Sequence, residues 1–300
     1  MSRSCPNCGS TNRDLQYASK IPAEGMDLQS LSGHWSGFFK DKVFFSYAKC
    51  RACSLVYAPV YFTDQQLSQL YADMSPNMDS VSTQAIQRTQ EGYFNIAKRH
   101  MRDTSGGYLE LGPDVGYFVD LAVRKNQHDH FWLFEPNETV TGALSSKLEG
   151  RSFTLKQDMF DLSDVPNGSV SVAVLIHVLD HLTSPLQTLA QVRRKLTLDG
   201  IIVVVTHNEA SVLRKVTGAK WPAFCLQHPQ LFSPCTITSM LETAGYRLKQ
   251  IKRTVNFFEV GFLTQHLSWL LGIKISGKFP GSDLKVGLRL GNIITIGRNT

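Results

Sequence analysis

Hydrophobic and polar positions alternate along the chain in blocks that predict strands followed by helices. Short, nearly continuous apolar runs occur at residues 108–111, 131–134, 170–176 and 201–205. Such runs are typical of strands that are buried on both faces of a parallel sheet. The residues after the third run show apolar positions at helical spacing, from Leu186 to Leu196. This alternation predicts an α/β fold with a mostly parallel sheet covered on both sides.

The first hundred residues follow a different pattern. Thr63 to Gln66 is a capping-box sequence, which predicts the start of a helix. Further elements are predicted as strands at 43–47 and 55–57 and as a second helix over about 84–101. A Ser-Gly-Gly stretch at 105–107 then indicates a boundary. We therefore expect an N-terminal domain over 1–60, a helical linker over 61–104 and a main domain over 105–300.

Four of the six cysteines form two Cys-x-x-Cys pairs, Cys5 with Cys8 and Cys50 with Cys53. A two-residue spacer lets both thiolates turn toward one metal, and two such pairs are the ligand set of a tetrahedral zinc site. A disulfide framework is not expected in a cytoplasmic protein of this size, and a redox motif would need only one pair. Four thiolates leave no open coordination position. The sequence therefore predicts a structural Zn²⁺.

A glycine-containing turn and a series of acidic residues follow the predicted strands of the main domain. The first strand leads through Gly112 and Gly116 into a helix. Glycine lets the backbone approach a ligand closely, and the helix N-terminus offers free N–H groups. Glu135 ends the second strand, at the spacing where an acid can hold the hydroxyls of a ribose. A third, short strand is predicted at 153–158 and ends in Asp158, which makes the run at 170–176 the fourth strand. These features predict a ligand site at the carboxyl edge of the sheet.

Together these motifs resemble those of class I S-adenosylmethionine-dependent methyltransferases. The resemblance is carried by Glu110-x-Gly112-x-Asp114-x-Gly116, Glu135, Asp158, the block His177–Leu182 and Lys195-Leu196-x-x-Asp199-Gly200. With the four cysteines, the chain resembles specifically the zinc-ribbon methyltransferases of sugar and polysaccharide biosynthesis, including sugar C-methyltransferases. The resemblance implies a Rossmann-like seven-stranded methyltransferase sheet with a small N-terminal zinc-ribbon domain, and S-adenosylmethionine as cofactor.

The resemblance also implies roles for individual residues. Glu110 and the loop through Gly112, Asp114 and Gly116 would hold the methionine end of the cofactor. Glu135 would bind the ribose, Asp158 the adenine amino group with Met159 beside the ring, and His177 and Val178 would line the methyl-transfer face. The chain departs from the family at Asp114, where glycine is usual. Aspartate adopts left-handed geometry better than most residues, but its charge would be unfavourable beside the cofactor carboxylate unless it points away.

His228 is the candidate catalytic base. Gln227-His228 and the following Phe232-Ser233 are similar to a stretch of the family in which a Glu-His pair supplies the base in sugar C-methyltransferases. Histidine titrates near neutral pH, which suits proton abstraction. Gln227 lacks the carboxylate of the family's glutamate, which counts against C-methylation, and a structural histidine is the alternative interpretation.

The net charge of +6 is concentrated near the C-terminus, since residues 246–300 hold nine basic and two acidic side chains. Such an edge suits an anionic substrate, for example a sugar phosphate. The apolar segment 260–272 is too short to cross a membrane, and no apolar run reaches 18 residues. The first residues lack the apolar stretch of a secretory signal, so we expect a cytoplasmic protein.

Three functions stay open at this point. The first is methyl transfer to a small molecule, a sugar or nucleotide-linked sugar. The second is RNA methylation, although the fourth strand ends in His177-Val178-Leu179-Asp180 rather than Asn-Pro-Pro-aromatic and no basic–aromatic RNA-binding module is present. Nucleic acid is therefore not the expected partner. The third is a non-catalytic binding protein whose cofactor loop has decayed at Asp114.

Overall fold

The structure is a computed structural model and describes residues 1–36, 43–72, 81–101, 106–125, 127–158, 161–271 and 281–300. Within these residues the strands are β1 (Arg13–Tyr17), β2 (Tyr47–Cys50), β3 (Val56–Tyr57), β4 (Gly107–Leu111), β5 (Phe131–Phe134), β6 (Phe153–Lys156), β7 (Val170–Ile176), β8 (Leu196–His207), β9 (Gln230–Leu231), β10 (Tyr246–Arg253), β11 (Asn256–Glu259), β12 (Lys285–Leu288) and β13 (Asn292–Asn299). The helices are α1 (Leu28–Ser32), α2 (Asp64–Ala72), α3 (Thr83–Ala97), α4 (Tyr117–Lys125), α5 (Thr141–Lys147), α6 (Pro185–Lys195), α7 (Val212–Thr217), α8 (Pro234–Thr243) and α9 (Val260–Leu271).

A seven-stranded sheet with the order β10-β13-β8-β7-β4-β5-β6 forms the centre of the molecule. Neighbouring strands from β8 to β6 are parallel, whereas β13 runs antiparallel to both β8 and β10. The sheet confirms the predicted α/β class and the seven-stranded, mostly parallel arrangement. Because β4, β5, β6, β7 and β8 share one direction, their carboxyl ends meet at one edge of the sheet.

Side chains of the central strands alternate between two hydrophobic layers. Leu109, Leu175 and Val204 pack on the face covered by α6 and α8. Tyr108 and Val174 point to the opposite face, which α3, α4 and α5 cover. Every residue of β7 is buried, because this strand lies in the middle of the sheet with helices on both sides. The continuous apolar run that predicted a doubly covered strand has this physical cause.

A smaller four-stranded sheet, β1-β2-β3-β9, lies at the N-terminus and takes its fourth strand from residues 230–231. Its hydrophobic core is an aromatic cluster that joins residues of both chain regions, Trp35, Phe44, Phe45, Tyr47, Tyr61, Phe62, Trp221 and Phe224. The predicted strand at 43–47 begins only at Tyr47. Val43, Phe44 and Phe45 are all buried in the cluster, so the side chains do not alternate as those of a half-exposed strand would.

The helical segment between the two sheets follows the sequence closely. The Thr63 hydroxyl accepts a hydrogen bond from the Gln66 amide at 3.3 Å, and the Gln66 side chain accepts one from the Thr63 amide at 2.9 Å, which is the reciprocal pattern of a capping box. The second helix, α3, ends at Ala97. Among the described residues, no helix is long and apolar enough to cross a membrane.

Candidate functional site

The turn after β4 has the backbone geometry that a close-approach loop requires. Gly112, Asp114 and Gly116 have φ angles of 62°, 52° and 78°. A Cβ atom at Gly112 would lie 2.7 Å from Val178 Cγ2, and one at Gly116 would lie 2.7 Å from Leu144 Cδ2. Both glycines are therefore needed for conformation and for space. Asp114 keeps the turn by adopting the left-handed region, which aspartate tolerates better than most residues.

Glu135 connects the turn to the end of β5. Its carboxylate accepts hydrogen bonds from the backbone amide of Asp114 at 2.8 Å and from that of Asn137 at 2.9 Å. Burial raises the pKa of Glu135, although the two amide hydrogen bonds act in the opposite direction. The acid predicted to hold a ribose thus lies beside the glycine turn and fixes the position of Asp114.

Glu110 lies within β4 and is only 2% exposed. The Tyr108 hydroxyl donates a hydrogen bond to its Oε2 atom at 2.6 Å. Burial raises the pKa of Glu110 to about 8, and the nearby Glu135 carboxylate contributes to the increase. The side chain is therefore mostly protonated at neutral pH, and a cation placed beside it would favour its ionisation.

The segment that follows β6 is described as far as Asp158 and again from Asp161. Asp158 Oδ1 accepts a hydrogen bond from the Asp161 amide at 3.0 Å, which shapes the turn after the strand. Met159 lies outside the described residues. The adenine-binding assignments of both residues stay predictions.

Two histidines and an aspartate meet where β7 and β8 end. His207 Nδ1 lies 2.7 Å from Asp180 Oδ2, and the same oxygen accepts the His207 backbone amide at 3.0 Å. His177 Nδ1 lies 3.9 Å from this oxygen. His177 has a φ angle of 55°, so a non-glycine residue occupies the left-handed region directly at the strand end. These three side chains form what we call the His-Asp cluster.

The charges of the His-Asp cluster follow from its burial. Burial opposes ionisation of Asp180, yet the adjacent imidazoles of His177 and His207 hold the pKa of this carboxyl well below its usual range. Burial lowers the pKa of His177 to about 4, so its imidazole is neutral at physiological pH. A buried carboxylate and a neutral imidazole therefore face each other at the carboxyl edge of the sheet.

His228 lies in the same region, on the loop that leads into β9. Its Nδ1 atom is 2.7 Å from the Ala223 carbonyl oxygen, and its ring centroid lies 4.7 Å from that of His207. Since a carbonyl can only accept, Nδ1 carries the proton in the neutral ring and Nε2 holds the lone pair. The Tyr47 hydroxyl donates to the His228 carbonyl oxygen at 2.7 Å. The candidate base is thus positioned by the aromatic cluster of the N-terminal region.

Sequence reasoning did not identify how the N-terminal region supports this loop. The Tyr61 hydroxyl donates to the Leu226 carbonyl at 2.7 Å, and the Tyr71 hydroxyl lies 3.0 Å from His181 Nδ1. No role was assigned to Asp180 or His207 from the sequence. The available signal was that both follow long apolar runs at strand ends, where side chains face the ligand edge.

The structure brings the four predicted cysteines together. The Sγ atoms of Cys5 and Cys53 are 3.5 Å apart, as are those of Cys8 and Cys50, and all four lie within 4.8 Å of one another. Four thiolates around one Zn²⁺ at Zn–S distances of about 2.3 Å would be about 3.8 Å apart. The donor type, number and spacing fit a tetrahedral zinc ion.

The C-terminal basic residues occupy different environments. Lys252 and Arg253 end the edge strand β10, and both are exposed near the carboxyl edge of the sheet, opposite Ile294 and Ile293. Arg298 instead pairs with Asp199 at 3.2 Å. The predicted basic residues Lys274 and Lys278 lie outside the described residues. Of these described basic residues, Lys252 and Arg253 therefore lie at the carboxyl edge, whereas Arg298 pairs with Asp199 near the start of β8.

Comparison with known proteins identifies the family to which the chain belongs. A family model described as a methyltransferase domain matches residues 84–251, which is more than half of the chain. A search of curated proteins found no match.

Several solved structures share the fold. A SAM-dependent methyltransferase from Aquifex aeolicus has a TM-score of 0.50 and 9% identity, over 76% of this chain and 100% of its own. A protein from Listeria monocytogenes assigned as an S-adenosylmethionine-dependent methyltransferase has a TM-score of 0.51 and 10% identity, over 70% of this chain and 99% of its own. A protein from Bacillus halodurans assigned as a methyltransferase has a TM-score of 0.50 and 12% identity, over 70% of this chain and 99% of its own. The protein belongs to the methyltransferase domain family and has the fold of S-adenosylmethionine-dependent methyltransferases.

Proposed function

We propose that this methyltransferase transfers the methyl group of S-adenosylmethionine to a sugar or nucleotide-linked sugar, by C- or O-methylation. The observation that carries the proposal is the meeting of the glycine turn, Glu135 and His228 at or beside one edge of the parallel sheet. In open α/β sheets this edge is where ligands bind. S-adenosylmethionine, when bound, supplies an electrophilic methyl group, and the protein supplies the positioning of donor and acceptor.

The cofactor would lie across the carboxyl ends of β4, β5 and β6. Glu110 would ionise beside the ammonium group of the methionine part, because a nearby cation offsets the burial that keeps its carboxyl protonated. Glu135 would exchange part of its hydrogen bonding to Asp114 for the ribose hydroxyls. Asp158 and Met159 would hold the adenine, and His177 and Val178 would line the face from which the methyl group leaves.

His228 would accept a proton from the methyl acceptor. The hydrogen bond from Nδ1 to the Ala223 carbonyl fixes the tautomer that leaves Nε2 free of a proton, which is the form a general base needs. The ring is buried, and its backbone is held by Tyr47. Gln227 is fully buried beside it and replaces the carboxylate that the resembled C-methyltransferases have at this point.

The four cysteines would hold a structural Zn²⁺ that stabilises the N-terminal region. We propose that this region is a zinc-ribbon domain over residues 1–60. A linker over 61–104 would join it to the catalytic domain over 105–300. Cys50 ends β2, the strand that begins with Tyr47. Loss of the metal would therefore loosen the strand whose tyrosine supports the His228 loop, so the zinc would act on catalysis through the fold.

The acceptor would be anionic. Lys252 and Arg253 are exposed at the end of β10, where they can meet the phosphate of a nucleotide-linked sugar.

Methyl transfer from labelled S-adenosylmethionine tests the proposal. The purified chain is incubated with a nucleotide-sugar pool and, separately, with total RNA. We expect label in the sugar pool with the wild type and at least a 100-fold lower rate with His228→Gln. The matched control is His130→Gln, since His130 lies before β5 at the opposite edge of the sheet and its substitution should leave the rate unchanged. Transfer to RNA alone, or an unchanged rate in His228→Gln, would contradict the substrate class or the base, respectively.

A further inference from the structure

The His-Asp cluster contains a buried carboxylate whose hydrogen-bonding capacity is incompletely used. The Asp180 side chain is 0% exposed, and its Oδ1 atom has no hydrogen-bond partner among the described residues. The Nδ1 atom of His177 is likewise buried without a hydrogen bond there. Both residues belong, with His207, to a group in which one ligand atom from each residue lies within 4.8 Å of the others. Buried carboxylates in proteins are paired with a cation or coordinate a metal ion.

We propose that His177, Asp180 and His207 bind a divalent transition-metal cation, separate from the cysteine site. Two imidazoles and one carboxylate are the donor set that suits zinc, iron(II), cobalt(II) and manganese(II). Ligand atoms at about 2.1 Å from such an ion lie about 3.0 Å apart at a right angle and about 3.4 Å apart in a tetrahedron. Asp180 Oδ2 lies 2.7 Å from His207 Nδ1 and 3.9 Å from His177 Nδ1, distances that bracket these values, and Oδ1 is the oxygen of the same carboxylate that has no hydrogen bond among the described residues.

The hydrogen-bonding surroundings match those of metal-binding histidines. A ligating histidine usually donates its other ring N–H to an acceptor, which fixes its orientation. His177 Nε2 lies 3.2 Å from the side-chain amide of Asn292. The amide oxygen and nitrogen of asparagine exchange places by rotation of the side chain, so Asn292 can present its oxygen to an Nε2–H group while Nδ1 binds the cation.

The two histidines of the site are partly exposed to solvent. The side chains of His177 and His207 are 28% and 24% exposed, whereas Asp180 is fully buried beneath them. Three protein ligands leave at least one coordination position, and the His228 ring lies next to that of His207. The cation would bind an oxygen of the methyl acceptor and orient it beside His228. This role rests on the proposed function, whereas cation binding does not.

The left-handed backbone at His177 is consistent with a functional placement. A non-glycine residue in this region costs on the order of 1–2 kcal/mol. With this backbone, His177 Nδ1 lies 3.9 Å from Oδ2 of Asp180, which follows three residues later. Strain of this kind persists where the surrounding structure enforces a particular side-chain position.

Cobalt(II) titration of the full-length, zinc-loaded protein tests the site. Thiolate ligation of Co²⁺ gives charge-transfer absorption in the near ultraviolet, so binding to nitrogen and oxygen ligands is distinguished from exchange into the cysteine site. We expect one Co²⁺ per chain bound without the thiolate band, and at least 10-fold weaker binding by His207→Gln and by His177→Gln. His130→Gln removes an imidazole from the other edge of the sheet and should bind Co²⁺ like the wild type.

Two variants are used because either one can lose its fold, which circular dichroism detects. Equal Co²⁺ affinity in the wild type and in a folded ligand variant would overturn the proposal, as would wild-type protein that binds Co²⁺ only through thiolates. S-adenosylmethionine binding is measured on the same samples. Protein that binds the cofactor but no second cation refutes this site alone, and protein that binds the second cation but not the cofactor refutes the proposed function alone.

Discussion

The buried carboxyl of Glu110 predicts an unusual dependence of stability on pH. Its pKa is raised from 4.5 to about 8 in the folded protein, chiefly by burial. Between these two values the unfolded chain is ionised while the folded chain keeps its proton, so the unfolded state is favoured increasingly as pH rises. The stability contributed by this group is fully present below pH 4.5 and is lost by pH 8.

The size of the effect follows from the two pKa values. The penalty is about 1 kcal/mol at pH 5 and about 4 kcal/mol at pH 8. Glu110→Gln replaces the carboxyl by a neutral group of similar shape that can still accept the Tyr108 hydrogen bond. The free energy of unfolding of the variant, relative to the wild type, should therefore increase by about 3 kcal/mol between pH 5 and pH 8. At roughly 2 °C per kcal/mol, the difference in Tm should grow by about 6 °C.

Thermal unfolding of the cofactor-free protein at pH 5, 6.5 and 8 measures this change. Any constant effect of the substitution cancels, because only the pH dependence of the Tm difference is used. Glu149→Gln is the matched control for the change in net charge, because Glu149 is exposed and its substitution leaves the buried Glu110 carboxyl in place. A Tm difference for Glu110→Gln that is constant from pH 5 to 8 would refute the reasoning, because Glu110 would then ionise as readily in the folded protein as in the unfolded chain.

Four further substitutions have defined outcomes. Gly112→Ala adds a methyl group to a residue in the left-handed region, so the free energy of unfolding should fall by about 1–2 kcal/mol. Gly142→Ala adds a methyl group where the surrounding space is open, so the free energy of unfolding should rise by roughly 0.5–1 kcal/mol. Denaturant titration measures both changes. Tyr47→Phe leaves the buried His228 carbonyl without its hydroxyl donor, so the free energy of unfolding should fall by about 1–3 kcal/mol. The kcat should also fall, whereas the affinity for the cofactor measured by calorimetry should stay the same. An unchanged kcat would contradict the role of Tyr47 in positioning His228. Cys50→Ser should reduce zinc from about one ion per chain to a small fraction by elemental analysis, and full zinc content would argue against the four-cysteine site.

The central sheet could be predicted because its strands carry a strong local signal. The run at 170–176 is entirely apolar, and the structure buries every one of these residues. The glycine turn gave a weaker signal, because two glycines four residues apart predict a ligand loop only together with Glu135 and Asp158 further along the chain. The structure gives the physical reason for both glycines, since a Cβ atom at either position would lie 2.7 Å from a neighbouring side chain.

The small sheet and the His-Asp cluster could not be predicted in the same way. The strand β9 has only two residues and pairs with β3, which is far away in the chain. A two-residue strand is too short to show an alternation of hydrophobic and polar residues, so the sequence pattern does not predict this pairing. The meeting of Asp180 with His207 depends on the left-handed turn at His177 and on the parallel pairing of β7 with β8. Such contacts arise from tertiary structure, and only their position at the ligand edge is visible in the sequence.

The most direct test of the account is calorimetric titration of the full-length, zinc-loaded chain with S-adenosylmethionine. We expect one binding site per chain, with weaker binding by Gly112→Ala because the displaced turn no longer approaches the cofactor. We also expect that binding at pH 7 releases a proton from Glu110. The observed heat should then depend on the ionisation enthalpy of the buffer, and this dependence should be absent in Glu110→Gln. A folded, zinc-loaded chain that shows no binding of S-adenosylmethionine would contradict the account.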